Sequence, residues 1–268
     1  EDGETVRSFS WSGTPEDLTW RGRDAAGNRI PDGTYSYVLS SRDAAGNEAS
    51  FRISDIRVDT RPTPVAVKIG RAAFSPNGDG VADSLDVSVE LEVTDLIAEW
   101  RVRIVDAGGT THRVFSGTES APGDIVFDGR DDEGDIVPEG EYTAVATVRY
   151  EAGSEPTARS PEFNVDVTAP DARISSDVDL FSPNGDGRKD TVTISQSADD
   201  GAEWRGTVQN AEGELVRSER WQGEPPERFV WDGRNDAGNV VANGSYRYVL
   251  SGTDRAGNST ETEAVSVR

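Results

Sequence analysis

The chain has 268 residues, 34% hydrophobic and 29% charged, and its 50 acidic residues against 27 basic ones give a formal net charge of −23. That balance argues against nucleic acid and anionic membranes as partners, because both are bound through a basic face that displaces counterions. The absence of cysteine excludes disulfides, thiolate catalysis and zinc–thiolate sites, and no apolar run is long enough to span a membrane.

In chain order, the first long feature is WRGRDAAGNRIPDGTYSYVLSSRDAAGN, from Trp20 to Asn47. It reads as a turn, an alternating strand and a second turn. The motif returns as FDGRDDEGDIVPEGEYTAVATVRY from Phe127 and as WDGRNDAGNVVANGSYRYVLSGTDRAGN from Trp231, spacings of 107 and 104 residues. VDTRPTP (58–64) and VDVTAP (165–170) read as short proline-bearing linkers between the repeats. The units are therefore 1–60, 63–167 and 168–268, and a fixed period of this length marks a tandem array. Inside a unit the period is two: SLDVSVELEV, EWRVRIVD, EYTAVATVRY and SYRYVLSG alternate apolar and polar residues, with Gly, Asn, Asp and Pro clusters between them. No stretch carries helix caps and a 3.6 period. The fold class is all-β, in tandem antiparallel β-sandwiches.

The first unit is short. Its opening Glu1-Asp2-Gly3-Glu4 aligns with Ala211-Glu212-Gly213-Glu214 of the last unit, so about three preceding strands have no counterpart. With neither an initiator Met nor a signal peptide, the expectation is a piece of a longer array. The alternative is completion by another chain through strand addition at the open edge.

Trp20, Phe127 and Trp231 fall on strands and are expected in the cores. Asp or Asn opens each following turn and Gly27, Gly134 and Gly238 supply positive φ. Tyr35, Tyr142 and Tyr246 stand two residues after a Gly at a strand start, as in a tyrosine corner.

At these residues the chain resembles a known family. The run from Trp231 to Tyr246, WDGRNDAGNVVANGSY, is similar to the immunoglobulin-like domain of the flagellar hook-capping protein, a module also repeated in large secreted bacterial proteins. FSPNGDG, at Phe74 and again at Phe181, resembles the opening of surface-exported and C-terminal sorting-type modules. The resemblance implies immunoglobulin-like sandwiches in a bacterial, extracytoplasmic protein. The middle unit departs from it, with RYEAGSEP in place of the second DxAGN turn.

FSPNGDG also carries the one candidate for chemistry. Ser75, Asn77, Asp79, the Val81 carbonyl and Asp83 present oxygens at alternate positions, as do Ser182, Asn184, Asp186, the Arg188 carbonyl and Asp190. An EF-hand-type calcium loop uses the same odd-numbered oxygens and the same central Gly. Here the first position is Ser and the closing bidentate Glu is missing, so a calcium site would be weak, on the order of 10⁻⁴ M. The competing reading is an Asx-stabilised corner.

Six Trp suggest stacking on a polysaccharide, yet Trp20 with Trp231, Trp100 with Trp204 and Trp11 with Trp221 are placed by the repeat, as core residues are. His112 is the single histidine, in a run that reads as a turn, and no nucleophile elbow, phosphate loop or histidine cluster is present. Glycosylation-type triplets at Asn243 and Asn258 are discounted in a bacterial chain. The sequence thus reads as a non-catalytic spacer array, with a binding or adhesion module (polysaccharide, or another chain at the first unit) or a hook-cap-related component as the alternatives.

Overall fold

The computed structural model describes residues 3–268, and these form strands and turns without a helix. Glu1 and Asp2, half of the aligned EDGE segment, lie outside the described residues.

The first unit is a two-stranded antiparallel ribbon, β1 (Gly33–Arg42) with β2 (Glu48–Val58). Ahead of it, only an isolated bridge between Arg23 and Arg29 closes the first turn. Ser8–Gly13 aligns with strands of the later units but is not a strand here. The strand that pairs with it elsewhere has no counterpart among the described residues.

The second unit runs through β3 (Val65–Ile69), β4 (Ala73–Phe74), β5 (Leu85–Leu91), β6 (Ile97–Asp106), β7 (Thr111–Thr118), β8 (Ile125–Phe127), β9 (Gly140–Tyr150), β10 (Thr157–Arg159) and β11 (Phe163–Val165). One sheet is ordered β3-β5-β8; the facing sheet is ordered β4-β11-β9-β6-β7, with β10 also on β9. The third unit repeats this with β12 (Ala172–Ser176), β13 (Val192–Ala198), β14 (Glu203–Gln209), β15 (Leu215–Gln222), β16 (Arg228–Trp231), β17 (Tyr246–Thr253), β18 (Ser259–Glu261) and β19 (Val265–Val267). Its sheets are ordered β12-β13-β16 and β15-β14-β17, with β18 and β19 along β17.

The period-two pattern sends alternate side chains inward from both sheets. In the second unit Phe74, Leu85, Val87, Val102, Ile104, Phe127 and Phe163 are buried together. The third unit buries Ile194, Trp204, Phe229, Trp231, Tyr248 and Leu250. Each of these units has a core of its own. In the first unit Trp20 is only half-buried, and Val38, Phe51 and Ile53 are 53%, 64% and 48% exposed.

The turn and corner expectations hold in all three units. Gly27, Gly134 and Gly238 have φ of 88°, 93° and 78°. The Tyr35, Tyr142 and Tyr246 hydroxyls donate to the carbonyls of Pro31, Pro138 and Ala242 at 2.8, 2.7 and 2.7 Å.

Candidate functional site: the FSPNGDG loop and the module junction

Both FSPNGDG loops are built by side chains folding back on their own backbone. In the second unit the Asp83 carboxylate accepts from the amides of Gly78 (2.7 Å) and Gly80 (2.8 Å), while Asn77 accepts from Asp79 N and Asp79 from Val81 N. In the third unit Asp190, Asn184 and Asp186 make the same four bonds to Gly185, Gly187, Asp186 and Arg188. Ser75 N and Ser182 N close the loops on Ala82 O and Lys189 O, and Ala82 and Lys189 both take left-handed φ, 54° and 53°. The two copies are one preformed shape.

The loop is anchored by the motif that follows it. Phe74 packs edge-on against Phe127 at 5.6 Å, and Phe181 lies tilted on Trp231 at 5.3 Å. Behind them Pro76 lies over Gly129, so close that a Cβ there would come 2.5 Å from its ring; Pro183 over Gly233 leaves 2.6 Å. FSPNGDG and [FW]DGR are thus two halves of one contact. In the first unit, whose described residues hold no such loop, nothing lies within 4 Å of that point on Gly22.

Of the sequence-predicted calcium ligands, Asn77, Asp79 and Asp83 are brought together, as are Asn184, Asp186 and Asp190. Val81 and Arg188 enter these loops through their amides. Among the described residues no group of three or more His, Asp or Glu side chains gathers as a metal cluster. Ser75 does something else: it is fully buried, and its hydroxyl donates to Oδ1 of Asn258, 183 residues away, at 2.6 Å. Ser182 is exposed.

Asn258 belongs to the DRAGN turn of the third unit, so the second unit's loop meets the third unit's turn. Its Oδ1 also accepts from Asn77 Nδ2 (3.3 Å), and its Nδ2 donates to the Asp166 carbonyl in the linker (2.9 Å) and to Asp254 within the turn (2.9 Å). Gly257 sits against Val81 and Ala82. Ala256 and Asn258 are each 2% exposed. A buried amide engaged at both ends fixes orientation, because pulling it away leaves donors and acceptors unpaired.

The linkers are held from the other side. Glu139, which precedes Gly140, accepts from Val167 N and from the Thr168 hydroxyl, both at 2.8 Å. Asp32, which precedes Gly33, accepts from Thr60 N (3.0 Å) and the Thr60 hydroxyl (2.8 Å). In the first linker Arg61 grips Asp59 through two nitrogens and reaches Asp95 of the second unit. The Arg61 guanidinium holds the Asp59 carboxyl down at about 2, and the Thr168 hydroxyl and nearby amides lower that of Glu139. A carboxyl lowered on folding contributes stability above its unfolded value and loses it as pH falls toward the folded one. Acidification from pH 4 to pH 2 is therefore expected to loosen the linkers, measured as faster amide exchange at Thr60 and Thr168 than in the strand cores.

The remaining candidates resolve into packing. His112 is not in a turn but on β7, because the turn closes at Ala107–Thr110, where Asp106 accepts from Thr110 N. Its Nε2 lies 2.9 Å from Asp106 Oδ2 and its ring is edge-on to Tyr142 at 5.4 Å. Of the six Trp, Trp204 and Trp231 are buried, and Trp11, Trp20, Trp100 and Trp221 are half-buried. Two shallow depressions of about 250 and 170 Å³ lie at matching places on the sheets, lined by Glu203, Arg205 and Arg220 and by Glu99, Arg101 and Arg149.

In the sequence Asn258 stands out only as a glycosylation-type triplet, and Asp166, Glu139 and Gly129 carry no signal of their own. The available signal was the co-occurrence of whole motifs: the later two units carry FSPNGDG, and DxAGN is kept in the third unit, which docks on one.

Against known protein families, the FlgD Ig-like domain matches twice in tandem, at residues 78–152 and 181–256. No curated protein matches the chain at a significant level. Solved structures that resemble it include a tetra-tandem repeat from the extending region of a large adhesion protein (17% identity, 92% of this chain and 58% of that one, TM-score 0.37). The fibronectin(III)-like modules of Clostridium thermocellum CbhA show 15% identity over 75% of this chain and 92% of theirs, TM-score 0.40. A 1.5-MDa bacterial ice-binding adhesin shows 15% identity over 87% and 72%, TM-score 0.37. The chain thus spans 58% of the adhesion-protein repeat.

Proposed function

This chain belongs to the FlgD Ig-like domain family, and on that premise we propose that it is a non-catalytic, extracytoplasmic spacer, an array whose modules are docked rather than loosely strung. The observation that carries the reading is the buried Asn258, bonded at once to the preceding module, to the linker and to its own turn. A spacer has to convert length into distance, and a fixed junction does this where a flexible one coils back. The linker clamps at Asp32 and Glu139 serve the same end. The net charge of −23 keeps neighbouring arrays apart.

The test is the rotational diffusion of the second and third units by NMR relaxation. Wild type is expected to show one correlation time for both, and Asn258→Ala two shorter ones with each unit still folded. Independent tumbling of the wild-type units would defeat the reading.

Calcium at Ser75–Asp83 and Ser182–Asp190 belongs to the same proposal, as a stiffener of the junction. An ion that binds only the folded state raises the unfolding midpoint as its concentration passes the dissociation constant. A calcium-specific rise, lost in the Asp79→Ala, Asp186→Ala double variant and not reproduced by magnesium, supports it; a flat midpoint removes it.

A second reading is adhesion through the first unit, where Val38, Phe51 and Ile53 expose an apolar ribbon suited to an added strand.

A further inference from the structure

We propose that Asn243 is a site of spontaneous deamidation, and that the carboxylates of Asp83 and Asp190 withhold the same reaction from Asn77 and Asn184. The inference stands apart from the docked-array reading, because it concerns covalent chemistry within single turns.

Asn-Gly occurs three times, at Asn77-Gly78, Asn184-Gly185 and Asn243-Gly244. Backbone attack on an asparagine side chain is easiest in this dipeptide, since glycine puts no Cβ beside the reacting nitrogen and lets the backbone turn freely. The glycine amide nitrogen loses its proton to solvent base and bonds to the asparagine Cγ. The C–N bond of the side-chain amide then breaks, and its nitrogen takes a proton from solvent and leaves as ammonia. What remains is a five-membered succinimide. Water opens that ring at one carbonyl or the other, giving aspartate or isoaspartate. One water enters and one ammonia departs, with no oxidant or cofactor.

The fold treats the three pairs differently. Gly78 N–H donates to Asp83 Oδ1 and Gly185 N–H to Asp190 Oδ1, both at 2.7 Å. Removing that proton would leave a negative nitrogen against a carboxylate, and a like charge so close disfavours ionisation. The attacked group is held as well. Asn77 Oδ1 accepts from Asp79 N at 2.9 Å, and Asn184 Oδ1 from Asp186 N at 3.0 Å. Each loop must open before its asparagine can react.

Asn243 has none of this. It lies in the exposed bend between the Arg234–Val240 bridge and β17. Among the described residues, neither its side chain nor the Gly244 amide has a hydrogen-bond partner. The flanks are fixed, with Val241 N on Gly233 O at 2.9 Å and the Tyr246 hydroxyl on Ala242 O at 2.7 Å, so the unheld stretch is short and open to water.

The outcome differs by place. The first and second units carry Asp32 and Glu139 where the third has Asn243, so hydrolysis to aspartate gives the third unit the residue type of the first. Isoaspartate instead adds a methylene to the main chain inside the Ala242–Tyr246 corner. At Asn77 the same reaction would damage the junction. Its Nδ2 donates to Asn258 Oδ1 at 3.3 Å, and a carboxylate there faces that oxygen with no donor. Asp83 therefore guards the junction chemically as well as shaping the loop.

The test is peptide mapping by mass spectrometry of the full chain after prolonged incubation at mildly alkaline pH, with an isoaspartate-specific methyltransferase marking the rearranged product. In the folded chain Asn243 is expected to convert faster than Asn77 and Asn184 by about tenfold or more, which a barrier lower by about 1.4 kcal/mol gives. In urea the three rates should converge, since the fold is what separates them. Asn243→Gln should remove that product and leave the unfolding midpoint where it was. Asp83→Ala should release Asn77 alone, with Asn184 in the same molecule still protected and slow amide exchange in β6 and β9 showing the second unit folded. Equal conversion of the three in the folded chain, or an intact Asn243 when the urea sample has converted, would overturn the proposal. So would an Asn77 that stays protected in a folded Asp83→Ala variant. If that variant unfolds, the wild-type comparison with urea still decides.

Discussion

Trp231→Ala is expected to unfold the third unit at temperatures where the second remains native, splitting one calorimetric envelope into two. Trp231 is 1% exposed, sits edge-on to Tyr246 at 5.1 Å and tilted on Phe181 at 5.3 Å, and donates its indole N–H to the Arg234 carbonyl at 2.9 Å. Truncating a buried aromatic of this size costs about 3–5 kcal/mol. That is a large share of the roughly 5–15 kcal/mol that holds a small domain folded. The first-unit counterpart supplies the control. Trp20 makes the same bond to Arg23 O and meets Tyr35 at 5.9 Å, but it is half-buried, so Trp20→Ala should cost far less. Urea titration followed by resolved NMR signals from each unit reads both. If Trp231→Ala shifts the second and third units equally, their cores are not independent.

Gly129→Ala should destabilise the second unit by about 2–5 kcal/mol. Two costs combine: a non-glycine residue held at φ +72°, about 1–2 kcal/mol, and a methyl placed 2.5 Å from the Pro76 ring, about 1–3 kcal/mol as overpacking. Gly22→Ala separates them, because Gly22 has φ +61° and open space around it and should show the conformational cost alone. Pro76→Ala in the Gly129→Ala background should recover part of the loss, since residues in contact do not act additively. Equal effects at Gly22 and Gly129 would refute the close approach as the reason for glycine.

Much of this was legible because it is local. The alternation in EYTAVATVRY, the Asp-to-Gly spacing of each turn and the Gly-x-Tyr corner are satisfied within a few residues, so a repeat exposes them. Hydrophobic period also placed Phe127 and Trp231 in the cores. The junction escaped for the opposite reason. Ser75 and Asn258 are 183 residues apart, and each sits in a motif that explains itself as a turn. Read singly, Asp79 and Asp83 suggest oxygen ligands for an ion; the fold adds that Asp83 clasps two glycine amides while the neighbouring Ser75 is the group that reaches outward. His112 was misplaced by the opposite error, since GGTT drew the turn too far along and the strand starts at Thr111. The Ser8–Gly13 segment shows that pattern alone does not make a strand: without a neighbour to bond, its alternation has nothing to align against.

The parallel pairing of β4 with β11 has a consequence for load. Asn164 N bonds Ala72 O and Asp166 N bonds Phe74 O, and in the third unit Arg268 brackets Phe181 and Asp179 in the same way. A pull along the chain loads β3 first and, once β3 has left β5, draws β4 toward the incoming linker and β11 toward the outgoing one. The two segments must slide past each other, breaking their bonds together rather than one after another. The short patch that closes each sandwich is therefore also its mechanical fuse, and the force at which a unit gives way is set by the rate of that shearing step, whatever its equilibrium stability.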